Sequence, residues 1–292
     1  MEPLQGAFNV HTQVEGAPLE RIRAICGSGE SKVSAELVAR LPALEIVSIM
    51  GVGYDGVDVA ACKARGVLVT HTPDVLNDDV ADLALALALA IARRLPQADR
   101  FVRDGKWPAG PMPLAVKLSG SRMGIVGMGR IGQAIAKRAQ AFGMPIAYTA
   151  RSAKPELPYA FHATPAALAA ASDFLVVITP GGAATRKLID AAVLKALGPQ
   201  GYLVNVARGS VVDEAALIEA LQQGTIAGAA LDVFENEPHV PDALRVLDNV
   251  VLAPHIGSAT RATRGAMAAL AFENLRAFFA GERPPTPVPE CR

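Results

Sequence analysis

Met123-Gly-Ile-Val-Gly-Met-Gly-Arg-Ile-Gly132 is the stretch that decides how this chain must be read. Residues 124–126 read as the end of a buried strand. Gly127-x-Gly129-x-x-Gly132 then turns the chain, and residues 133–142 continue with helical spacing. Each glycine has a physical task if the turn holds a dinucleotide. The first permits the tight turn, the second lets backbone amides approach a pyrophosphate, and the third lets helix and strand pack closely. The phosphates would sit at the helix N-terminus, where unpaired N–H groups and the helix dipole favour negative charge. A bare glycine-rich turn gives the same letters, but here strand, glycines and helix come in the required order.

Working outward, the strand–helix alternation continues on both sides. Before the fingerprint, strands are predicted at residues 7–11, 22–26, 45–50 and 67–70, with helices at 34–41 and 57–65. After it come strands at 145–149, 173–178, 202–206, 226–232 and 250–253. Helices are expected at 132–142, 166–171, 191–197 and 213–222, and one amphipathic helix at 261–279. Such alternation predicts parallel sheets covered by helices, and the second set predicts a doubly wound dinucleotide domain. Between the sets lies a long helix opened by Asn77-Asp-Asp-Val-Ala-Asp82 and closed by Arg93 and Arg94, a charge order that suits the helix dipole. Its apolar run 83–91 is not confined to one face, so it should be buried nearly all round, in a hinge or a subunit interface. The Pro/Gly-rich arm 101–113 carries the single tryptophan, Trp107, and reads as a surface loop.

Composition narrows the function. The formal net charge is zero and no basic cluster stands out, which argues against nucleic acid as a partner. The run 83–91 is too short to cross a bilayer, so no membrane is expected. Cys26, Cys62 and Cys291 show no metal-ligand spacing and read as reduced thiols of a cytoplasmic protein; the start is neither a signal nor a transit peptide.

Three late strands end in polar residues. One leads through Val206 and Ala207 to Arg208, one to Asp232 and on to Glu237, and one through Pro254 to His255. Ligands of open α/β sheets bind outside the carboxyl ends of strands, where these loops gather. Arg208 can bind a substrate carboxylate and polarise a carbonyl. His255 can give a proton to a developing alkoxide while a hydride arrives at carbon, and an adjacent carboxylate orients its ring. Singly, each has a plainer reading as a surface arginine, a solvated acid or a core histidine. His11, His71, His162 and His239 lack such company and receive no role.

The fingerprint, Asn205-Val-Ala-Arg-Gly-Ser-Val-Val-Asp-Glu214, Leu231-Asp-Val-Phe-Glu-Asn-Glu-Pro238 and Ala253-Pro-His-Ile-Gly-Ser258 resemble the signatures of the D-isomer-specific 2-hydroxyacid dehydrogenase family. The resemblance runs from about residue 41 to residue 281. It implies a Rossmann dinucleotide-binding domain (residues 81–262) inserted into a smaller flavodoxin-like parallel-sheet substrate domain. That second domain is built from residues 1–80 and a returning helix in 263–292. Carried over by position, Arg208 matches the substrate-binding arginine, His255 the acid/base, and Glu237, not Glu235, its carboxylate partner. The backbone of Val52 and Gly53 matches the loop that holds the substrate carboxylate. The dinucleotide site would comprise Gly127, Gly129, Arg130, Ile131 and Gly132, with Thr179, Pro180, Val206, Ala207, Asp232 and Gly257 at later strand ends. Asp232 matches the residue near the nicotinamide carboxamide. A homodimer through the long helix and arm is implied as well. Family members usually begin with a further strand before the segment matching residues 7–11, so either the start of this chain is misassigned or its smaller sheet lacks that first strand and has a gap.

Cofactor choice follows from the second strand of the dinucleotide domain. NAD-specific sites place an acid about 20 residues past the fingerprint, where it bonds the adenosine ribose. Here the strand ends Tyr148-Thr-Ala-Arg-Ser-Ala-Lys154, with no acid. Arg151 and Ser152 suit a 2′-phosphate instead, as in the NADP-preferring glyoxylate/hydroxypyruvate and hydroxyphenylpyruvate reductases that this stretch resembles. The expectation is an NADP(H)-dependent reductase of a small 2-oxo acid, with an aromatic 2-oxo acid as the alternative substrate. A non-catalytic dinucleotide sensor is the rival from another class, disfavoured because long partner-recruiting tails are missing. NAD-linked oxidation of formate, phosphite or phosphoglycerate is disfavoured by the missing acid and by the lack of a C-terminal regulatory domain.

Overall fold

A computed structural model describes residues 2–13 and 16–291, leaving aside the side chains of Glu2 and Pro3. The chain divides into two compact units, Met1–Leu76 with Thr260–Arg292, and Asn77–Ala259. The boundaries expected from the sequence, 80/81 and 262/263, lie four and three residues later.

The first unit begins with α1 (Glu2–Ala7) and continues through β1 (Ala24–Ser28), α2 (Ala35–Ala39), β2 (Ile46–Met50), α3 (Val59–Ala64) and β3 (Leu68–Thr70). The three strands are parallel, in the order β1-β2-β3. Central β2 is apolar and almost wholly buried, as a strand covered on both faces must be. Ser34 and Asp58 start α2 and α3 by accepting the N–H of Leu37 and Ala61, caps that contribute about 1 kcal/mol each.

Residues 7–11 do not form the predicted strand. In the flavodoxin order 2-1-3-4-5 the second strand pairs only with the first. Among the described residues no strand lies outside β1, so this segment has no ladder to join. It is tethered by packing instead. The ring of Phe8 rests 6.3 Å from Phe272 and 5.5 Å from Phe279 on the last helix.

The second unit opens with α4 (Asn77–Ala92) and α5 (Leu95–Arg103). The long helix ends earlier than predicted because Arg94 turns the chain in the left-handed region, at φ 52°. The arm is therefore not all loop, since α5 reaches into it. The apolar run 83–91 of α4 is buried nearly all round, as expected: of those residues Ala86 alone is exposed, the rest being buried or half-buried. Then follow β4 (Met123–Val126), α6 (Arg130–Ala141), β5 (Ile146–Thr149), β6 (Ala160–Phe161), α7 (Pro165–Ala170), β7 (Phe174–Val177) and α8 (Ala191–Leu197). The unit closes with β8 (Tyr202–Asn205), α9 (Glu214–Gln222), β9 (Gly228–Leu231), α10 (Asp242–Arg245) and β10 (Val250–Leu252).

Its seven strands are all parallel, ordered β10-β9-β8-β7-β4-β5-β6. Counted from β4 this is 3-2-1-4-5-6-7, the doubly wound order with its reversal between β4 and β7. Strands β4, β7 and β9 are buried at every position, which explains their unbroken apolar sequence. The two-residue edge strand β6 went unpredicted because it is too short for any periodicity. The last helix, α11 (Arg261–Phe279), returns to the first unit and packs on β2, where Ser48 donates to the carbonyl of Ala271.

Candidate functional site

The reversal between β4 and β7 is where the glycine turn lies. Gly127 takes φ +105°, and a Cβ there would stand 2.9 Å from the backbone of Ile178 and Thr179, just past β7. A Cβ on Gly132 would stand 2.1 Å from the carbonyl oxygen of Gly127. Those two glycines are demanded by the protein's own packing. Gly129 is not, because a Cβ there meets nothing within 4 Å. It stands exposed at the N-cap of α6, a 12-residue helix with no side-chain cap. Open space above a helix N-terminus is a cradle that a Cβ would partly fill, and it fits a pyrophosphate. Arg130 is exposed and Ile131 half-buried beside it; Thr179 is half-buried and Pro180 exposed across the reversal.

At the end of β5, Arg151 and Ser152 are exposed, and no described residue engages their side chains. The loop is held in place from beneath. Tyr148 is buried, and its hydroxyl accepts the Lys154 N–H at 2.6 Å.

The three late strand ends converge as a bonded set. Past β8, the Asn205 side chain accepts the Ala207 N–H and donates to the Arg208 carbonyl, 3.1 Å each, which fixes the turn carrying Arg208. Val206 and Ala207 are buried within it. Gly209 lets this turn close on the next one, because a Cβ there would stand 1.9 Å from the Phe234 carbonyl carbon. Past β9, Asp232 accepts the N–H of Ile256 at 2.7 Å and of Gly257 at 2.8 Å, while its carbonyl accepts the His255 N–H at 2.8 Å. Asp232 is thus the frame of the histidine turn, where His255 takes a left-handed φ of 53°. Burial pushes the Asp232 carboxyl up, against the pull of the two N–H donors.

Glu237 completes the set. One carboxylate oxygen accepts the Phe234 N–H at 2.8 Å, and the other meets His255 Nδ1 at 2.6 Å. Burial would raise its pKa, but the bonds to His255 and Phe234 and the charges of His255 and Arg208 outweigh that and hold it below the usual carboxylate range. An ionised carboxylate can only accept, so Nδ1 carries a proton and Nε2 is left for chemistry. Glu235 points elsewhere, to Arg186 at 3.0 Å.

In the first unit, Val52 and Gly53 lie half-buried in the loop after β2. The Thr72 N–H donates to Gly51 O at 2.8 Å, and His71 Nδ1 bonds Val52 O at 3.0 Å. His71 was given no role from sequence, yet it holds this loop. Its partner is a backbone carbonyl, which leaves no mark in the sequence. Gly209 was likewise missed as a necessity. Only the close approach of the Phe234 turn exposes it.

Residues 85–257 match the sequence model of the D-isomer specific 2-hydroxyacid dehydrogenase, NAD binding domain. The chain is 52% identical over 267 residues to glyoxylate/hydroxypyruvate reductase A HPR2 of Arabidopsis thaliana, covering 91% of this chain and 85% of that one. It is 51% identical over 269 residues to hydroxyphenylpyruvate reductase of Plectranthus scutellarioides, covering 92% and 86%. A crystal structure of NADPH-dependent glyoxylate/hydroxypyruvate reductase from Sinorhizobium meliloti, in complex with NADP and malonate, superposes with a TM-score of 0.91. The two chains share 50% identity over 94% of this chain and 86% of that one.

Proposed function

We propose that this chain, which belongs to the D-isomer specific 2-hydroxyacid dehydrogenase family, is an NADP(H)-dependent reductase of small 2-oxo acids of the glyoxylate and hydroxypyruvate type. The observation that carries the reading is the 2.6 Å pair of Glu237 and His255, with Arg208 close enough to lower the Glu237 pKa. The reaction consumes a 2-oxo acid, a hydride and a proton and yields a D-2-hydroxy acid. When bound, the dinucleotide supplies the hydride. His255 gives the proton from Nε2 to the carbonyl oxygen, and ionised Glu237 stabilises the charged ring and fixes its tautomer. Arg208 takes the substrate carboxylate and polarises the adjacent carbonyl; in the first unit, the backbone of Val52 and Gly53 offers N–H groups suited to a carboxylate.

The preference for NADPH rests on Arg151 and Ser152 standing exposed after β5 where an acid would select NAD. Exposed apolar side chains concentrate at Leu95, Val102, Trp107, Leu114 and Val116, which supports a homodimer built through the arm. A monomer in sedimentation at micromolar concentration would remove that part. Three free thiols support a cytoplasmic site. The 51% identity to a hydroxyphenylpyruvate reductase keeps an aromatic 2-oxo acid as the second reading.

The test is loss of reduced-nicotinamide absorbance, with NADPH and NADH offered separately against hydroxypyruvate, glyoxylate and 4-hydroxyphenylpyruvate. Turnover should be fastest with NADPH on one of the first two. Arg151→Asp should raise the KM for NADPH by about tenfold or more while leaving that for NADH nearly unchanged. Equal effects on both cofactors would remove the 2′-phosphate assignment. Binding of NADPH without turnover of any 2-oxo acid would favour a sensor.

A further inference from the structure

We infer that His71, gripped by the carboxy-terminal tail, is a positioning residue that aims the Gly53 N–H at the substrate carboxylate. The inference rests on the reading of residues 52–53 as the carboxylate loop. It begins with the planarity of one peptide. The Val52 carbonyl and the Gly53 N–H belong to the same rigid unit and, in a trans peptide, point in opposite directions. Anything that fixes Val52 O therefore fixes the direction of the Gly53 N–H. Glycine at 53 makes such a constraint necessary, since its permissive backbone would let the 52–53 peptide rotate. The constraint is His71 Nδ1, 3.0 Å from Val52 O. A carbonyl only accepts, so Nδ1 is the donor.

His71 is in turn held on its backbone and on its ring. Its N–H donates to Thr286 O at 3.1 Å, and its carbonyl accepts the Thr286 hydroxyl at 2.6 Å. Thr286 is clamped by Asn274, fully buried on α11, which accepts the Thr286 N–H at 3.0 Å and donates to its hydroxyl oxygen at 2.8 Å. Two residues on, the Val288 N–H donates to Val69 O of β3 at 2.9 Å, and the Val288 side chain is buried. The ring of His71 is met edge-on by Tyr54, with centroids 5.3 Å apart. The Tyr54 hydroxyl donates to Glu290 at 3.0 Å. Residues 286–290 thus hold the loop at two places, through the His71 backbone and through the Tyr54 phenol. A plain core histidine would be satisfied by any buried acceptor. Here the acceptor is the loop peptide itself.

The test compares His71→Leu with His71→Asn, using NADPH, hydroxypyruvate as substrate, and oxalate as a non-reacting carboxylate. Leucine keeps apolar bulk but removes the donor. Asparagine places an N–H close to where Nδ1 stands. His71→Leu should raise the KM for hydroxypyruvate and the inhibition constant of oxalate by about tenfold, the weight of one well-aimed hydrogen bond. Its kcat and its KM for NADPH should stay within about threefold of wild type. His71→Asn should recover most of the lost affinity. Tyr54→Phe, which removes the hydroxyl that donates to Glu290, should raise the KM by about two- to threefold. Wild-type KM in His71→Leu, or equal impairment of the leucine and asparagine variants, would overturn the inference. If His71→Leu does not fold, Tyr54→Phe and Glu290→Ala, which removes the acceptor, carry the test, and unchanged KM in both is the overturning result. Wild-type protein that reduces no 2-oxo acid and binds no oxalate would fault the carboxylate-loop reading instead.

Discussion

Two histidines of this protein use the same ring atom for different ends. His255 follows β10 in one unit, and His71 follows β3 in the other; each bonds an acceptor through Nδ1, at 2.6 and 3.0 Å. The acceptors differ. Glu237 is held as an ionised carboxylate, which can stabilise a positive ring, as the proposed proton transfer requires. Val52 O is a neutral carbonyl, so it can orient the His71 ring and be oriented by it, and little more. Access differs in the same sense. The His255 side chain is 28% exposed, whereas His71 as a residue is only 7% exposed. In the proposed reaction the first would exchange a proton with the substrate, whereas the second is held still.

The largest expected effect tests the first half of that contrast. His255→Ala should cut kcat by about 10²–10⁴-fold, the usual worth of a positioned general acid, with NADPH affinity unchanged. Steady-state rates with a separate NADPH fluorescence titration would check both. A loss of NADPH binding equal to the loss of turnover would make His255 structural. The contrast itself would break if removing the His71 ring lowered kcat as much as removing the His255 ring.

A second backbone ligand sharpens the other half. If residues 52–53 bind by peptide groups, Gly129 should do the same for phosphate, because no described residue comes within 4 Å of where its Cβ would stand. Gly129→Ala should fold with a near wild-type Tm yet raise the KM for NADPH by about tenfold, since a methyl displaces the phosphate from the amides. Gly132→Ala should do the reverse and destabilise the fold itself, with its Cβ placed 2.1 Å from Gly127 O. A Tm loss in Gly129→Ala equal to that in Gly132→Ala would show that both glycines serve packing alone.

The same contrast explains what could be read from sequence. Strand-end residues carry their chemistry in their side chains, so Arg208, Glu237 and His255 were legible as a set, and the parallel sheets showed in their unbroken apolar runs. His71 was passed over because its partner is the carbonyl of Val52, and because its grip comes from Thr286 and Asn274, more than two hundred residues away. Gly209 looked like an ordinary turn until the Phe234 backbone stood against it. Residues 7–11 failed for a related reason. A local pattern can favour extended backbone, but a strand forms only where a neighbouring strand offers hydrogen bonds. Among the described residues none does so outside β1.

The smallest effect concerns pH, and its sign is fixed by Glu237. The fold holds this carboxyl below its ordinary pKa. A group whose pKa is lowered on folding stabilises the protein fully above the unfolded value, and that contribution disappears as pH falls through the folded value. Glutamine at 237 cannot titrate. The urea midpoint of wild type should therefore exceed that of Glu237→Gln most at neutral pH, and the gap should narrow steadily once the pH drops below about 4.3. Because both partners are partly open to solvent, with side chains 28% and 23% exposed, the gap should amount to only about 1 kcal/mol or less. Asp232 works in the opposite direction. Its pKa is raised by burial, so its contribution declines as pH rises through it. Asp232 is present in both proteins, but part of its rise comes from the Glu237 charge, so its contribution cancels only in part. A gap that widened on acidification would mean that Glu237 is held protonated in the fold, and the charged-ring role of His255 would lose its support.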